Sequence, residues 1–190
     1  MAALLPPKTR IEAITVRRLT APIASPHARV VERFRALVPP VNLGDLRAQS
    51  GPAGIAQVIQ NTHTTTGFVL FAEFNHGAWI RHFPPFTNPG NPGNTGNVPD
   101  AVQVGHGAHR FIFGNPLYAI TMIQESVEAA LHVPLDGGFF EQPDGTTKMV
   151  ILLPEGLVAG PEEMAGNEAL RLAARELEAK VFKLIEAISE

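Results

Sequence analysis

The sequence contains no cysteine, one tryptophan and one tyrosine. Without cysteine the chain can form no disulfide bond, no thiolate metal site and no cysteine nucleophile. Charged residues make up 17% of the 190 residues, against about a quarter in an average protein. The formal net charge is −3. This balance argues against a nucleic-acid partner, because neutralising phosphates requires clustered Lys and Arg.

Long apolar runs are absent as well. The densest runs, Gly67 to Phe71 and Met149 to Leu153, are strand-sized and far short of the roughly 20 residues that a spanning helix needs. The start of the sequence has four apolar residues between Met1 and Pro6 and no basic region ahead of them, unlike a secretory signal. We therefore expect a soluble, cytoplasmic protein with no membrane partner.

Several catalytic signatures are missing. None of the serines lies in a Gly-x-Ser-x-Gly sequence, and no phosphate-binding Gly-x4-Gly-Lys-Ser/Thr sequence occurs. The segment from Gly105 to Arg110 imitates a dinucleotide loop, but it lacks the third glycine and precedes an expected strand. These absences exclude a nucleophile-elbow serine hydrolase, a P-loop nucleotide-binding site and a dinucleotide-binding loop at this segment.

Glycine and proline, by contrast, are abundant, with 17 residues of each. They concentrate at 84–107, where repeated Asn-Pro and Pro-Gly pairs exclude a continuous helix or strand. We therefore predict a long inserted loop at 77–109. The expected organisation is an N-terminal arm at 1–12, a single α/β domain at 13–158 and a C-terminal helix at 159–190.

The apolar periodicity predicts a β-α-β-β-α-β-β order. The expected strands lie at 13–20, 67–75, 110–113, 138–142 and 147–153. This order predicts an α/β (α+β) two-layer sandwich, in which a mainly antiparallel sheet carries its helices on one face. Residues 162–189 repeat apolar positions at helical spacing and predict an amphipathic helix. Its apolar surface exceeds what a solvated tail needs, which favours a homodimer.

A helix is predicted to follow the third strand. Asn115 is a suitable N-cap and Pro116 a suitable first helical residue. Apolar residues at helical spacing define the expected buried face: Leu117, Ile120, Ile123, Val127, Ala130 and Leu131.

Short motifs resemble those of a known family. They are Phe74-Asn75-His76, Phe113-Gly114-Asn115-Pro116, Ala130-Leu131-His132-Val133-Pro134-Leu135, and Glu141 with Asp144-Gly145, in that order. The chain is similar to the domain of unknown function 302 family over roughly 13–158. The resemblance implies a β-α-β-β-α-β-β two-layer sandwich that tends to dimerise, and no general activity. Where the family has a compact segment rich in Ala and Leu, this chain has the loop at 77–109.

His76 is the leading candidate for a functional residue. It follows an apolar strand, and the carboxyl ends of sheet strands often carry ligand sites. Phe74, Trp79, Phe113 and Asn115 are the expected walls of an apolar pocket beside it. The alternative reading makes His76 a strand cap, Asn115 the residue that builds a strand-to-helix turn, and the aromatic rings part of the core.

Four histidines surround the predicted loop: His76, His82, His106 and His109. Imidazole is a common ligand for zinc, iron and copper, and these histidines together with Glu73 could complete a site. Their spacing fixes no geometry, because they lie on loops rather than on one helix face. A chance cluster therefore stands as the alternative.

Three functions remain open. The first is a homodimer that binds a small apolar molecule beside His76. The second is an enzyme in which His76 acts as a general base or metal ligand in non-covalent lyase, isomerase or oxygenase chemistry. The third is an interaction module without a small ligand, whose working surface is the helix at 162–189.

Overall fold

The computed structural model describes residues 9–82 and 107–190. The strands are β1 Arg18–Ile23, β2 Val69–Asn75, β3 Ala108–Gly114, β4 Leu135–Glu141 and β5 Thr147–Leu152. The helices are α1 His27–Leu37, α2 Leu43–Arg47, α3 Pro52–Gln60, α4 Gly77–Ile80, α5 Pro116–Ile123, α6 Pro154–Val158 and α7 Glu168–Ser189. Two short 3₁₀ helices, Val127–Leu131 and Glu162–Met164, complete the described elements.

All five strands form one antiparallel sheet in the order β1-β5-β4-β3-β2. A tight hairpin joins the neighbours β4 and β5. Within it Gly145 adopts a φ of +80°, a conformation that glycine tolerates without steric cost. The Asp144 side chain accepts a hydrogen bond from the Thr146 N–H at 2.9 Å, which stabilises the turn. The predicted two-layer α/β fold with a mainly antiparallel sheet is confirmed.

Side chains alternate across the sheet and give it two unlike faces. On one face, which we call the helix face, Phe111 and Phe113 of β3 and Phe139 of β4 are almost fully buried. They pack around Phe34 of α1 with ring centroids 4.5 to 5.3 Å apart. These rings form the centre of the core. On the opposite face, which we call the open face, the strands present half-buried or exposed residues such as Leu152.

Helix α7 packs onto the same core. Its buried apolar residues are Leu170, Ala174, Leu177, Val181, Leu184 and Ile188. The buried carboxylate of Glu178 pairs with Arg17 and accepts a hydrogen bond from the backbone N–H of Glu155 at 3.0 Å. The apolar stripe that favoured a second copy of the chain is therefore used within this chain.

The observed bounds of the first strand differ from the predicted ones. Strand β1 begins at Arg18 and runs through Pro22, whereas the sequence predicted residues 13–20. Proline fits there because β1 is an edge strand, where a missing N–H breaks no ladder.

Among the described residues, no helix has the length and apolar character required to cross a membrane.

The buried face predicted for the helix after the third strand is wrong in part. Helix α5 ends at Ile123, and a 3₁₀ helix replaces its expected second half. Met122 and Ala129 are buried instead, while Ile120, Val127 and Leu131 are exposed. Apolar residues at regular spacing therefore lie at the surface of this segment.

Candidate functional site

Three of the predicted site residues lie together at the end of β2. The ring of His76 stacks on Phe74 with centroids 6.3 Å apart, and Trp79 meets it edge-on at 5.9 Å. Helix α4 follows His76 directly and places Trp79 one turn away. Phe74 and Trp79 are about half exposed, so these rings form a surface cluster rather than a core.

A cavity of about 770 Å³ extends from His76 across the open face. We call it the sheet-face cavity. The cavity is lined by His76, which follows β2, and by these residues of the sheet: Arg110, Ile112, Phe140, Val150 and Leu152. The guanidinium of Arg110 lies 5.6 Å from the Phe74 ring centroid and donates from Nε to Asp136 at 2.9 Å. The pocket beside His76 thus combines apolar strand residues with a charged pair.

Phe74 and Trp79 contact His76 but are not among the residues that line this cavity, and the other two predicted wall residues lie elsewhere. Phe113 is fully buried on the helix face and is part of the core. Asn115 follows the opposite end of β3, where its side-chain oxygen accepts from the Leu117 N–H at 2.8 Å and its amide donates to the Gly67 carbonyl at 2.7 Å. Both functional groups of Asn115 are therefore occupied in capping α5 and fixing the start of β2.

Asn115 borders a second cavity, of about 750 Å³. We call it the α5 cavity. Helix α5 forms one wall, and α3, the loop before it, β2 and the segment that leads into β4 contribute the others. Apolar side chains dominate its lining and include Ile55, Phe71, Ala119, Ile120, Ile123 and Leu135. Among the described residues, the lining contains no charged side chain.

His109 lies on the helix face, where the structure brings it against His27 of α1. His109 Nδ1 and His27 Nε2 are 3.3 Å apart, and each residue is only 8% exposed. The other ring nitrogen of His109 is 3.5 Å from a carboxylate oxygen of Glu73. Arg35 pairs with the same carboxylate through two hydrogen bonds. The result is a chain of contacts that runs from the exposed Arg35 through the half-buried Glu73 to the buried His109 and His27.

Burial determines the protonation of this pair. It lowers the pKa of His27, against the opposing charge of Glu141 and a backbone hydrogen bond at Phe139. It also lowers the pKa of His109. The neighbouring His27 adds to that lowering, Glu73 opposes it, and Arg35 and His76 contribute further repulsion. Both imidazoles are therefore neutral near pH 7, one donating and the other accepting a hydrogen bond.

The structure does not gather the described members of the four predicted metal ligands into one group. His76 lines the sheet-face cavity, His109 is buried on the helix face, and His82 is exposed beyond α4. His106 lies outside the described residues. Within the described ranges, no three His, Asp or Glu side chains form a group suited to a metal ion.

His27 was not identified from the sequence as a candidate site residue, nor was Glu141 identified as a charge that acts on it. The Glu141 carboxylate accepts a hydrogen bond from the Gly107 N–H at 2.9 Å, close to His27. His27 occupies the first position of α1, where a histidine gives no periodic signal. Only the register of β3 against β4 and the packing of α1 onto the sheet bring these residues together.

Comparisons with known proteins bear on the family and the fold. The family described as domain of unknown function DUF302 matches residues 103–188. No curated protein matches. Among solved structures, the chain is similar to an uncharacterized conserved DUF302 protein from Bacillus stearothermophilus, at 15% identity and a TM-score of 0.55, over 90% of this chain and 97% of that one. The chain thus resembles the DUF302 family in sequence over residues 103–188 and in fold, as its motifs predicted.

Proposed function

We propose that the chain binds a small, mostly apolar molecule in the α5 cavity. The observation that carries this proposal is the lining: a volume of about 750 Å³ bounded almost entirely by apolar side chains. Ligand pockets typically measure about 300–1,000 Å³ and combine apolar walls with few polar groups. The cavity opens to solvent at Ile120, so an apolar occupant would displace water from its apolar walls.

Binding of a neutral fluorescent dye, N-phenylnaphthylamine, tests this proposal. The dye should bind saturably and gain fluorescence as it leaves water. Ala119 is half-buried in the cavity wall, so Ala119→Phe should fill the space and weaken dye binding about tenfold or more. Leu172→Phe is the matched control, because Leu172 is 57% exposed on α7 and lines neither cavity.

Two outcomes would contradict the proposal. One is the absence of saturable dye binding to the wild type. The other is unchanged dye affinity in an Ala119→Phe variant that retains its thermal unfolding transition. Should that variant unfold, Ile120→Arg provides a second perturbation. Ile120 is 49% exposed at this wall, where a charge can remain in water while opposing an apolar ligand.

The predicted pocket beside His76 remains a second location for such a ligand. The sheet-face cavity is of similar volume, but His76, Arg110, His132 and Asp136 contribute polar groups to it. Its occupant would need polar groups that match them. A homodimer belongs to the same proposal, because a second copy placed on the open face would cover this cavity. The cytoplasmic location remains a prediction.

A His-dependent enzyme is the second candidate function, and the contact between His27 and His109 favours it. Two neutral imidazoles beside Glu73 could relay a proton, or act as ligands to zinc, iron or copper. Metal analysis of protein purified without a histidine tag distinguishes these roles. Stoichiometric metal that is lost in His109→Ala would support a metal enzyme, whereas metal-free protein would contradict that form of the candidate.

A further inference from the structure

We propose that the occupant of the α5 cavity is an amphipathic carboxylate, whose apolar part fills the cavity and whose carboxylate pairs with Lys180. This inference rests on the proposed function and specifies the chemical class of the ligand. Its central observation is a lysine beside the cavity wall that has no carboxylate partner in the described part of the chain.

Lys180 is positioned by helix α7 and by Tyr118. Its ammonium group lies over the Tyr118 ring, 4.7 Å from the ring centroid. Tyr118 lines the α5 cavity, and so does Leu177, which precedes Lys180 by three residues on the same face of α7. The cation is therefore adjacent to two residues of the cavity wall. The contact with the ring restrains a side chain that would otherwise be free.

The surrounding charges leave Lys180 available to an anion. Within 9–82 and 107–190, Lys180 forms no ion pair, whereas Arg17, Arg35, Arg110 and Arg175 each pair with a carboxylate. The described cavity lining contains no Asp or Glu that would repel a negative ligand. A carboxylate that pairs with Lys180 at this edge of the cavity would thus meet a cation and no acidic side chain in the described lining.

The polar groups of the cavity do not favour another ligand class. Both groups of the Asn115 side chain are engaged by the backbone at Gly67 and Leu117. Gln49 and Ser50 are neutral and belong to the loop before α3. A cationic amphiphile would be repelled by the positive charge of Lys180. A neutral one would gain the apolar contacts and, at most, a neutral hydrogen bond, which is weaker than a charge-assisted one.

Displacement of N-phenylnaphthylamine by octanoate and by octanol tests the inference. The two compounds share an apolar chain and differ in charge. Octanoate should displace the dye at about tenfold lower concentration, because a charge-assisted hydrogen bond to an ammonium is stronger than a neutral one. Lys180→Met keeps the apolar stem of the side chain and should make the two compounds equivalent. Lys180→Arg should retain the preference for octanoate.

Lys183→Met is the matched control, because Lys183 is exposed one turn further along α7 and should not affect the preference. The inference is overturned if octanol equals octanoate in the wild type, or if Lys180→Met retains the preference. If the dye itself does not bind, the proposed function fails instead. Dye binding without a carboxylate preference leaves the proposed function intact and rejects only the ligand class.

Discussion

At the scale of single residues, the buried contact between His27 and His109 is the least expected feature of the molecule. A 3.3 Å separation between two ring nitrogens requires one donor and one acceptor, so the pair cannot hold a proton on all four nitrogens without losing its hydrogen bond. Glu73 and Glu141 supply negative charge nearby, but burial is the larger effect on both imidazoles. The pair is therefore most stable when both rings are neutral.

This pair should make folding stability sensitive to acid. The pKa of both residues is lowered in the folded protein, so well above the ordinary imidazole value of about 6.5 neither state binds a proton and the pair contributes no pH dependence. Below that value the unfolded chain binds protons that the folded chain does not. The free energy of unfolding should therefore fall with pH until the folded-state pKa values are reached.

Urea unfolding at several pH values between 7.5 and 5 measures this effect. The slope of the unfolding free energy against pH is compared between the wild type and a His27→Gln/His109→Gln variant. The variant should lose stability less steeply as pH falls. A residual slope is expected from His132, whose pKa burial also lowers. His82→Gln, at an exposed position, should behave like wild type. Parallel slopes for wild type and the double variant would show that the pair carries no proton linkage.

At the scale of elements, the sequence was most informative where a local pattern and tertiary packing agree. The strand predicted at 67–75 is observed as Val69–Asn75, and the strands predicted at 138–142 and 147–153 are observed as Leu135–Glu141 and Thr147–Leu152, joined by a turn at Gly145. The helix predicted at 162–189 begins later, at Glu168. These segments have strong periodicity or specific turn residues, which are local properties.

The apolar periodicity gave a wrong prediction where tertiary packing overrides the local helical preference. Apolar residues after Ile123 continued at helical spacing, yet the chain changes to a 3₁₀ helix that leaves Val127 and Leu131 exposed. Periodicity indicates which residues share a face of a helix, but it does not indicate whether another element covers that face. For the same reason, the residues predicted to surround one pocket lie at separate places in the structure. Phe113 and His76 belong to opposite faces of the sheet, which depends on register.

At the scale of the whole molecule, the two layers leave the open face of the sheet without a described element across its centre. Phe74 and Leu152 are 45% and 44% exposed on this face, while α7 uses its apolar stripe within the chain's own core. Uncovered apolar sheet faces are typical of association surfaces. We therefore expect the proposed homodimer to form through the open face rather than through α7.

Light scattering coupled to size-exclusion chromatography tests this arrangement, with wild type expected to elute as a dimer at tens of micromolar. Leu152→Glu should yield a monomer, because the new carboxylate and any cation that pairs with it would lose their hydration at the interface, which is costly. The monomer itself should tolerate the change, since Leu152 is partly exposed and lies opposite Arg18 on β1, where the new charge would find a partner. Leu172→Glu, on the exposed side of α7, should remain dimeric. A dimer that persists in Leu152→Glu but dissociates in Leu172→Glu would instead place the interface on α7, and a monomeric wild type would reject the homodimer.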